Sequence, residues 1–586
     1  MKRFILLLFL FSNVYGLCVE ADREILAPAV GNNGVGELIK IGVRLSGGSG
    51  DILFSIPPYI GVFTQSSFIT ATKVAFVIAR KDLNDCDVTL EVDPAYTDTI
   101  DGPSGGAALT LMILSALQNK TIKNNLSITG TIEENGDVGQ VGGISEKLEA
   151  AALSGIRVFL LPKQDRDTKL AVFIIKNKYN VTVIEVNNII EAGNIAFLNG
   201  KSEVESNLFL EKNNLPKNLT PINREQPNPD ALYRIGKNFT MKGEFYINEF
   251  NPESEEDKNF LDFFKNELDL ANELLDMGYL YSGANTAFLA TVDLEFLKEE
   301  NPTIEKINST INEVSICVSS IPKRNFTEEH FELEIGSELR KNWALKKLNE
   351  VNDTVSKQTR VFSPYHEVLF AKAWCGISKS LQSSEDSSRE LQEGKLKALA
   401  FDKIEQAERS LKNKSFAGME DLTWHLETAK QAYNKGDYGA AIYDSSYSIA
   451  IARATEEFGN SEPFRAKQMT ENLLNTQTKH FWAGAFKAHS RYYYARYSES
   501  NDPFELLVAY RLATYSLELD NVTEKIREEL HNDGYSNNTE SIQINQTSAQ
   551  TQGKQNYVEQ IIFPAILVML VINLILQLYW INHRNK

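Results

Sequence analysis

The stretch that most constrains the fold is residues 101–118, DGPSGGAALTLMILSALQ. Its second part, residues 106–118, is apolar around nearly the whole circumference of a helix, so this helix must be buried inside a domain. Ser104 precedes the helix, between a proline and two glycines. A serine in this place either caps the helix or stands exposed as a nucleophile, and the surrounding sequence must decide between the two.

Strand and helix patterns mix from residue 37 to residue 205, which predicts an α+β domain. ELIKIGVRL and CDVTLEVD are typical of strands, and TQSSFITATKVAFVIARKDL is typical of a helix. NLSITGTIEENGDVGQV predicts a hairpin that turns at Asn135 and Gly136. SEKLEAAALSG predicts a helix that begins at Ser145 and ends at Gly155.

A connector rich in Pro and Asn, residues 206–230, predicts a domain boundary, and residues 231–530 are predicted to be almost entirely helical. One segment, AKQAYNKGDYGAAIYDSSYSIAIARATEEFG, predicts two helices joined at residues 435–437. This pair resembles a tetratricopeptide hairpin in its Tyr433, Gly436, Tyr438 and Ala441. The region has no clean repeat at a fixed period, so a generic helical bundle fits equally well.

The two ends of the chain predict a single-pass protein of the cell membrane. A basic head, a short apolar run and the small residues at 14–16 predict a signal peptide over residues 1–21. Residues 558–581 are long and apolar enough for a transmembrane helix, which follows a polar, disordered linker at 531–557. The basic tail at 582–586 places the C-terminus in the cytoplasm and the bulk of the chain outside the cell.

Charge and cysteine content exclude some classes of protein. The net charge of −18 argues against non-specific binding to nucleic acid. Four cysteines are too few for a disulfide scaffold; Cys317 and Cys375 can pair, although nothing in the sequence shows it. Asn-x-Ser/Thr acceptors, such as those at Asn180 and Asn238, predict glycosylation outside the cell.

A nucleophilic serine needs a base, and the mixed domain has no histidine, since all seven lie between His330 and His583. The sequence has no HExxH motif and no Cys/His cluster with zinc spacing, so neither a metal nor a cofactor is expected. Lys147 is another candidate base, because it lies in the first turn of a predicted helix, where burial and the dipole lower a lysine pKa. On the residues alone it is one lysine among many, and such a lysine is more often solvated.

Three motifs in order resemble the proteolytic domain of Lon-type serine proteases: DGPSGG, then ITGTI, then VGGISEKLEAAALSGIRVFLLP. In that family the serine of the first motif is the nucleophile and the lysine of the third is the general base, which implies these roles for Ser104 and Lys147. Thr129 matches a threonine that supports the lysine. Backbone N–H groups from Gly102 onward are expected to stabilise an oxyanion, and Asp101 to orient the turn.

The resemblance implies an endopeptidase that acts on polypeptides. The sequence has no G-x-x-x-x-G-K-[ST] loop, so the activity is expected to be independent of ATP and limited to flexible or unfolded substrates. A membrane-anchored Lon-like protease of this kind is expected in archaea, and a homo-oligomer is compatible with the resemblance. Two alternatives stay open: a catalytically silent scaffold or receptor whose helical region binds partners, and a protease that acts only on its own chain.

Overall fold

The computed structural model describes residues 18–31, 35–93, 99–198, 205–222, 230–299, 302–356, 362–382, 390–414, 416 and 418–531. The first 17 residues of the expected signal peptide lie outside the described residues. So do residues 532–557 of the expected linker, the expected transmembrane helix and the C-terminal tail.

A four-stranded sheet opens the described chain, with the strand order β1-β2-β5-β3. Its strands are β1 (Ala21–Val30), β2 (Gly36–Gly47), β3 (Ile52–Phe54) and β5 (Cys86–Val92). β1 pairs antiparallel with β2 over ten residues, so the folded domain begins well before the predicted start at residue 37. Strand β1 lies at the edge of the sheet, where a proline such as Pro28 is tolerated. This proline and the weak alternation of apolar and polar residues make the strand difficult to predict from the sequence.

A second sheet is parallel and consists of β7 (Leu126–Ile128), β10 (Val158–Leu161) and β11 (Thr182–Glu185). The predicted hairpin is shorter than expected, because its first residues form β7 of this sheet. It contains only β8 (Thr131–Ile132) and β9 (Val138–Gly139), with Gly136 in its turn at φ +90°. Residues 126–128 are buried on both faces, as a strand of a parallel sheet must be, and they pair with β10 instead of extending the hairpin. The short strands β4 (Tyr59–Ile60) and β6 (Thr99–Ile100) pair parallel to each other.

Five helices pack on these sheets in the described part of the domain: α1 (Val62–Ala79), α2 (Gly106–Leu117), α3 (Ile144–Leu153), α4 (Arg166–Tyr179) and α5 (Ile189–Ala196). Every residue of α2 is buried, as the sequence predicts. Among the described helices, α1 is long and apolar enough to cross a membrane. Its Phe68, Ala71 and Ala75 are fully buried, however, and it packs along α2, so it is a core helix of this domain.

The rest of the described chain is mostly helical. Its helices are α6 (Asp230–Glu249), α7 (Glu255–Asp276), α8 (Leu280–Leu297), α9 (Ile304–Ser319), α10 (Phe331–Ser356), α11 (Phe362–Leu381), α12 (Lys397–Leu411), α13 (Met419–Lys435), α14 (Tyr438–Gly459), α15 (Pro463–Leu474), α16 (Phe481–Ser500) and α17 (Pro503–His531). The strands β12 (Phe326–Thr327) and β13 (Glu390–Leu391) pair antiparallel among them.

The predicted pair of helices at residues 429–459 is confirmed as α13 and α14. They are joined at Gly436, whose φ of +83° favours glycine. Helices in the described region differ widely in length, from 12 residues in α15 to 29 in α17. Helices of such unequal length do not form a repeat with a fixed period.

The helical region shares a hydrophobic core with the α+β domain, and α4 is the element that joins them. Phe173 of α4 stacks on Phe260 of α7, with ring centroids 4.2 Å apart. Lys176 of α4 forms an ion pair with Glu256 of α7 at 2.5 Å. The two regions are therefore packed together, not tethered only by a connector.

Two disulfides tie the described chain, Cys18–Cys86 and Cys317–Cys375. The second is the pair that the sequence left open, and it joins α9 to α11. The first ties the start of the described chain to β5. Because Cys18 is bonded in the fold, a leader removed next to residues 14–16 leaves this bond intact, whereas removal up to residue 21 would delete it.

Replacing both Cys317 and Cys375 by serine should destabilise the helical region by about 2–4 kcal/mol, because the unfolded chain loses a cross-link over 58 residues. The thermal midpoint of unfolding, followed by helical circular dichroism, should fall. Replacing Cys18 and Cys86 by serine is the matched control, since it loosens the other region. Free thiols at Cys317 and Cys375 in the denatured, unreduced protein would contradict this disulfide.

Candidate active site

Ser104 lies in a tight turn between β6 and α2. Residues Pro103–Gly105 form one turn of 3-10 helix that continues into α2. The chain enters this turn through Gly102 at φ +141°, a conformation that side chains rarely adopt. The N-cap of α2 is Gly105, and no side chain caps the helix. The Ser104 hydroxyl is therefore not used as a cap, and the first interpretation of this serine is wrong.

Helix α1 holds the Ser104 turn from one side. The Asp101 carboxylate accepts hydrogen bonds from the backbone N–H groups of Phe63 and Thr64 at 2.9 and 3.2 Å, at the first turn of α1. The Thr64 hydroxyl donates to the Gly102 carbonyl at 3.1 Å, and the Ser67 hydroxyl donates to the Pro103 carbonyl at 3.2 Å. Asp101 thus caps a helix distant in sequence, and α1 in return fixes the path of the turn.

The segment after β7 holds the turn from the opposite side. Gly130 N–H donates to the Ser104 carbonyl at 3.0 Å, and the Thr129 hydroxyl donates to the same carbonyl at 3.4 Å. Ala107 N–H donates in return to the Gly130 carbonyl at 3.0 Å. Thr129 is fully buried, and its N–H is bonded to Leu160 of β10. The backbone of Ser104 is therefore fixed to the parallel sheet.

Lys147 lies in the first turn of α3, but the start of this helix differs from the prediction. The N-cap is Gly143, at φ +68°, and the expected cap Ser145 is already inside the helix. A Cβ at Gly143 would lie 2.6 Å from the Val30 side chain, so only glycine lets α3 approach β1 this closely. This contact is made by the fold and cannot be read from the helix sequence.

The Lys147 side chain is only 4% exposed. Burial lowers the pKa of its amine to about 8, although the neighbouring Glu146 carboxylate opposes this effect. No carboxylate of the described residues lies within 4.0 Å of the amine, so no ion pair keeps it charged. An amine in such a place exchanges its proton near neutral pH, which suits a general base.

Strand β1 packs against both the Ser104 turn and α3, so these two elements lie against the same strand. Within the described residues, no hydrogen bond joins the Ser104 hydroxyl to the Lys147 amine. Thr129, which was expected to support the lysine, instead bonds to the Ser104 carbonyl.

Sequence reasoning missed Thr64 and Ser67 as residues that hold the Ser104 turn. Both are buried on α1, three residues apart, so they lie on the same face of the helix. Two hydroxyl side chains on the inner face of an apolar helix were the available signal, because buried hydroxyls need hydrogen-bond partners.

Residues 44–197 match the family model of the Lon protease (S16) C-terminal proteolytic domain. Lon protease of Syntrophus aciditrophicus is 37% identical over 130 residues, which is 22% of this chain and 16% of that protein. The archaeal Lon protease of Methanocaldococcus jannaschii is 31% identical over 159 residues, 26% of this chain and 23% of that protein.

The match therefore spans less than a quarter of the length of these two relatives. It includes the Ser104 turn, the Thr129 segment and the Lys147 helix, all of which fall within residues 44–197. Over these residues the chain is similar to the proteolytic domain of Lon proteases, which supports a serine peptidase.

Proposed function

We propose that the chain is an endopeptidase in which Ser104 is the nucleophile and Lys147 the general base. The observation that carries this proposal is the pairing of two unusual groups within one Lon-type domain. Ser104 lies just before a buried helix that it does not cap. Lys147 is a buried amine that forms no ion pair with a described residue. Neither arrangement stabilises the fold, and both suit proton transfer.

In the proposed reaction, the neutral Lys147 amine accepts the Ser104 proton as the serine oxygen attacks the peptide carbonyl. The resulting ammonium then donates this proton to the leaving amine, and the C–N bond breaks to leave an ester on Ser104. Water, deprotonated by the same amine, hydrolyses the ester and releases the new carboxylate. The backbone N–H groups of the turn from Gly102 to Gly105, at the positive end of α2, are the proposed donors to the oxyanion.

The substrate class proposed is flexible or unfolded polypeptide, and the activity proposed is independent of ATP, because the sequence carries no phosphate-binding loop. The location proposed is the outer side of the cell membrane, with residues 558–581 as the anchor. Two disulfides support this location, since such bonds persist in oxidising compartments and are rare in the cytosol.

A catalytically silent scaffold is the rival function. It is favoured by one observation, that no hydrogen bond joins Ser104 to Lys147 among the described residues. Catalytic hydrogen bonds are often long or poorly aligned without a substrate, so this observation does not exclude an enzyme. A serine-reactive fluorophosphonate probe separates the two functions, because only an activated Ser104 forms the covalent adduct.

Ser104→Ala should reduce the hydrolysis of an unfolded protein substrate at least about a thousand-fold, since the nucleophile is lost. The fold should be unchanged, because the hydroxyl forms no hydrogen bond in the described residues. The assay follows release of fluorescent fragments from labelled casein without ATP, and Ser154→Ala, at an exposed helix end, is the matched control. Turnover by Ser104→Ala at the unaltered rate would reject the assignment.

The rate should depend on pH through Lys147. With a pKa of about 8, the neutral fraction of this amine, and therefore kcat/KM, should rise about 50-fold between pH 6 and pH 8 and level off above that. Lys147→Arg should be inactive at every pH, because a guanidinium stays protonated. Lys73→Arg, on the exposed side of α1, is the control and should keep the profile. A rate that does not change between pH 6 and 9 would exclude lysine as the base.

Asp101 should act as a positioning residue. Asp101→Ala removes the carboxylate that caps α1 and frees the Ser104 turn, so kcat should fall by on the order of 10- to 100-fold. The loss of the cap should also destabilise the domain by about 1 kcal/mol. Asp101→Asn keeps one acceptor oxygen, so it should lose less kcat and less stability than Asp101→Ala. A purely structural role predicts the loss of stability with kcat per folded molecule unchanged, which the two measurements together would reveal.

A further inference from the structure

A cavity of about 180 Å³ lies in the helical region, far along the chain from the Ser104 turn. It is formed where α8, α10, α13, α14, α16 and α17 meet. Its walls are mostly aromatic, and it is lined by Tyr281, Leu339, Arg340, Trp343, His425, Tyr443, Asp444, Tyr447, Trp482, Phe486, Tyr515 and Leu519.

Arg340 is the cationic group of this cavity, and its side chain is only 7% exposed. The guanidinium carbon lies 4.5 Å from the centre of the Trp343 ring and 5.2 Å from the Trp482 ring. Stacking of this kind uses the faces of the guanidinium plane. The N–H donors lie around the edge of that plane, so the two tryptophan rings do not satisfy them.

The Arg340 guanidinium donates a hydrogen bond to the neutral Tyr281 hydroxyl, which also lines the cavity. No carboxylate of the described residues lies within 4.0 Å of the guanidinium. The nearby Asp444 is engaged elsewhere, since it accepts from His425 Nδ1 at 2.7 Å and from Trp343 Nε1 at 3.1 Å. Tyr281 supplies no countercharge, and one hydroxyl leaves most of the five N–H donors of the guanidinium available, so an anionic acceptor from outside can pair with this buried cation.

Other polar groups of the lining have partners. The Trp482 indole donates to the Glu332 carbonyl at 2.8 Å. The Tyr443 hydroxyl bonds to Thr523 at 2.9 Å, and the Tyr447 hydroxyl donates to the Asp421 carboxylate at 2.9 Å. Arg340 differs from these side chains, because it lines the cavity as a cation that no carboxylate of the described residues contacts directly.

The cavity can be reached from the surface. Tyr281, Trp343, Tyr447 and Phe486 of the lining are partly exposed. Its volume of about 180 Å³ exceeds the roughly 150 Å³ that accommodates a benzene molecule in a protein interior. One apolar or aromatic side chain therefore fits.

We propose that this cavity binds the C-terminal residue of a polypeptide, with the chain-end carboxylate on Arg340 and an apolar side chain against the aromatic wall. A planar carboxylate matches the donor edge of a guanidinium, and a chain end carries both a carboxylate and a side chain on one residue. An internal Glu or Asp side chain has the carboxylate but no apolar group to fill the walls. That the bound chain is a substrate or product of proteolysis rests on the function proposed above.

The test uses the full chain with Ser104→Ala, so that binding is measured without cleavage. The probes are N-acetyl-Ala-Ala-Phe with a free carboxylate and the same tripeptide with a C-terminal amide, titrated by calorimetry. The free acid should bind at least about tenfold more tightly than the amide, because only the acid gives Arg340 a charged acceptor. A third probe, N-acetyl-Gly-Glu-Gly-amide, should bind as weakly as the amide.

Arg340→Gln should abolish the distinction between acid and amide, and Arg340→Lys should retain part of it. Arg234→Gln, at an exposed position of α6, is the matched control and should keep the full distinction. The comparison of acid and amide on the chain that retains Arg340 remains decisive even if Arg340→Gln fails to fold. Equal affinity for the two tripeptides, no binding of the acid, or equal affinity for the Glu peptide and the acid would overturn the proposal.

Proteolysis is measured separately, on the chain with Ser104 and with a substrate whose C-terminus is amidated. Loss of hydrolysis with the acid–amide distinction intact would reject the proposed enzyme and leave the cavity assigned. Hydrolysis with no such distinction would reject the cavity and leave the enzyme.

Discussion

The complete burial of α2 is the constraint on which the rest of the candidate active site depends. All twelve of its residues are buried, so the helix has no freedom to slide or rotate, and its first turn fixes the backbone of Ser104. Neighbouring elements lie very close to α2 at Gly106, where a Cβ would be 2.8 Å from the Ser67 hydroxyl and 2.9 Å from the backbone nitrogen of Ile132. The serine hydroxyl is thus presented by a rigid element, which is what positioning a nucleophile requires.

The buried amine of Lys147 has a cost that the fold must offset. A pKa lowered from 10.5 to about 8 means that, at pH 7, the protonated amine is about 3 kcal/mol less stable in the folded chain than in water. This cost is fully present below pH 8, and it declines as the pH rises from 8 to 10.5, because there the unfolded chain binds the extra proton. Glycine at position 143 lets α3 approach β1 and so maintains this burial. A buried group that lowers stability at neutral pH is a candidate for a functional residue, which agrees with the role proposed for Lys147.

The sequence predicts elements well where a single periodic pattern decides them. The apolar face of α7 and the buried α2 follow from helical spacing alone. Prediction from the sequence fails where a contact between residues distant in the chain determines the structure. Residues 126–128 are a short apolar triplet that fits a hairpin or a parallel strand, and only the position of β10 selects the latter. The start of α3 depends on contact between Gly143 and Val30, which are more than a hundred residues apart. The environment of Arg340 depends on six helices, so no motif announces it.

The core shared by the two regions has a consequence for the role of the helices. Leu148, next to the proposed base, belongs to the same buried cluster as Phe173 of α4 and Phe260 of α7. Helix α3 packs on α4, and α4 packs on α7 and α8, so the helical region covers the outer side of the layer that keeps Lys147 buried. Removal of the helical region would expose apolar side chains of α4, such as Phe173, to water. The helices therefore stabilise the Lon-type domain through packing, apart from any partner that they bind.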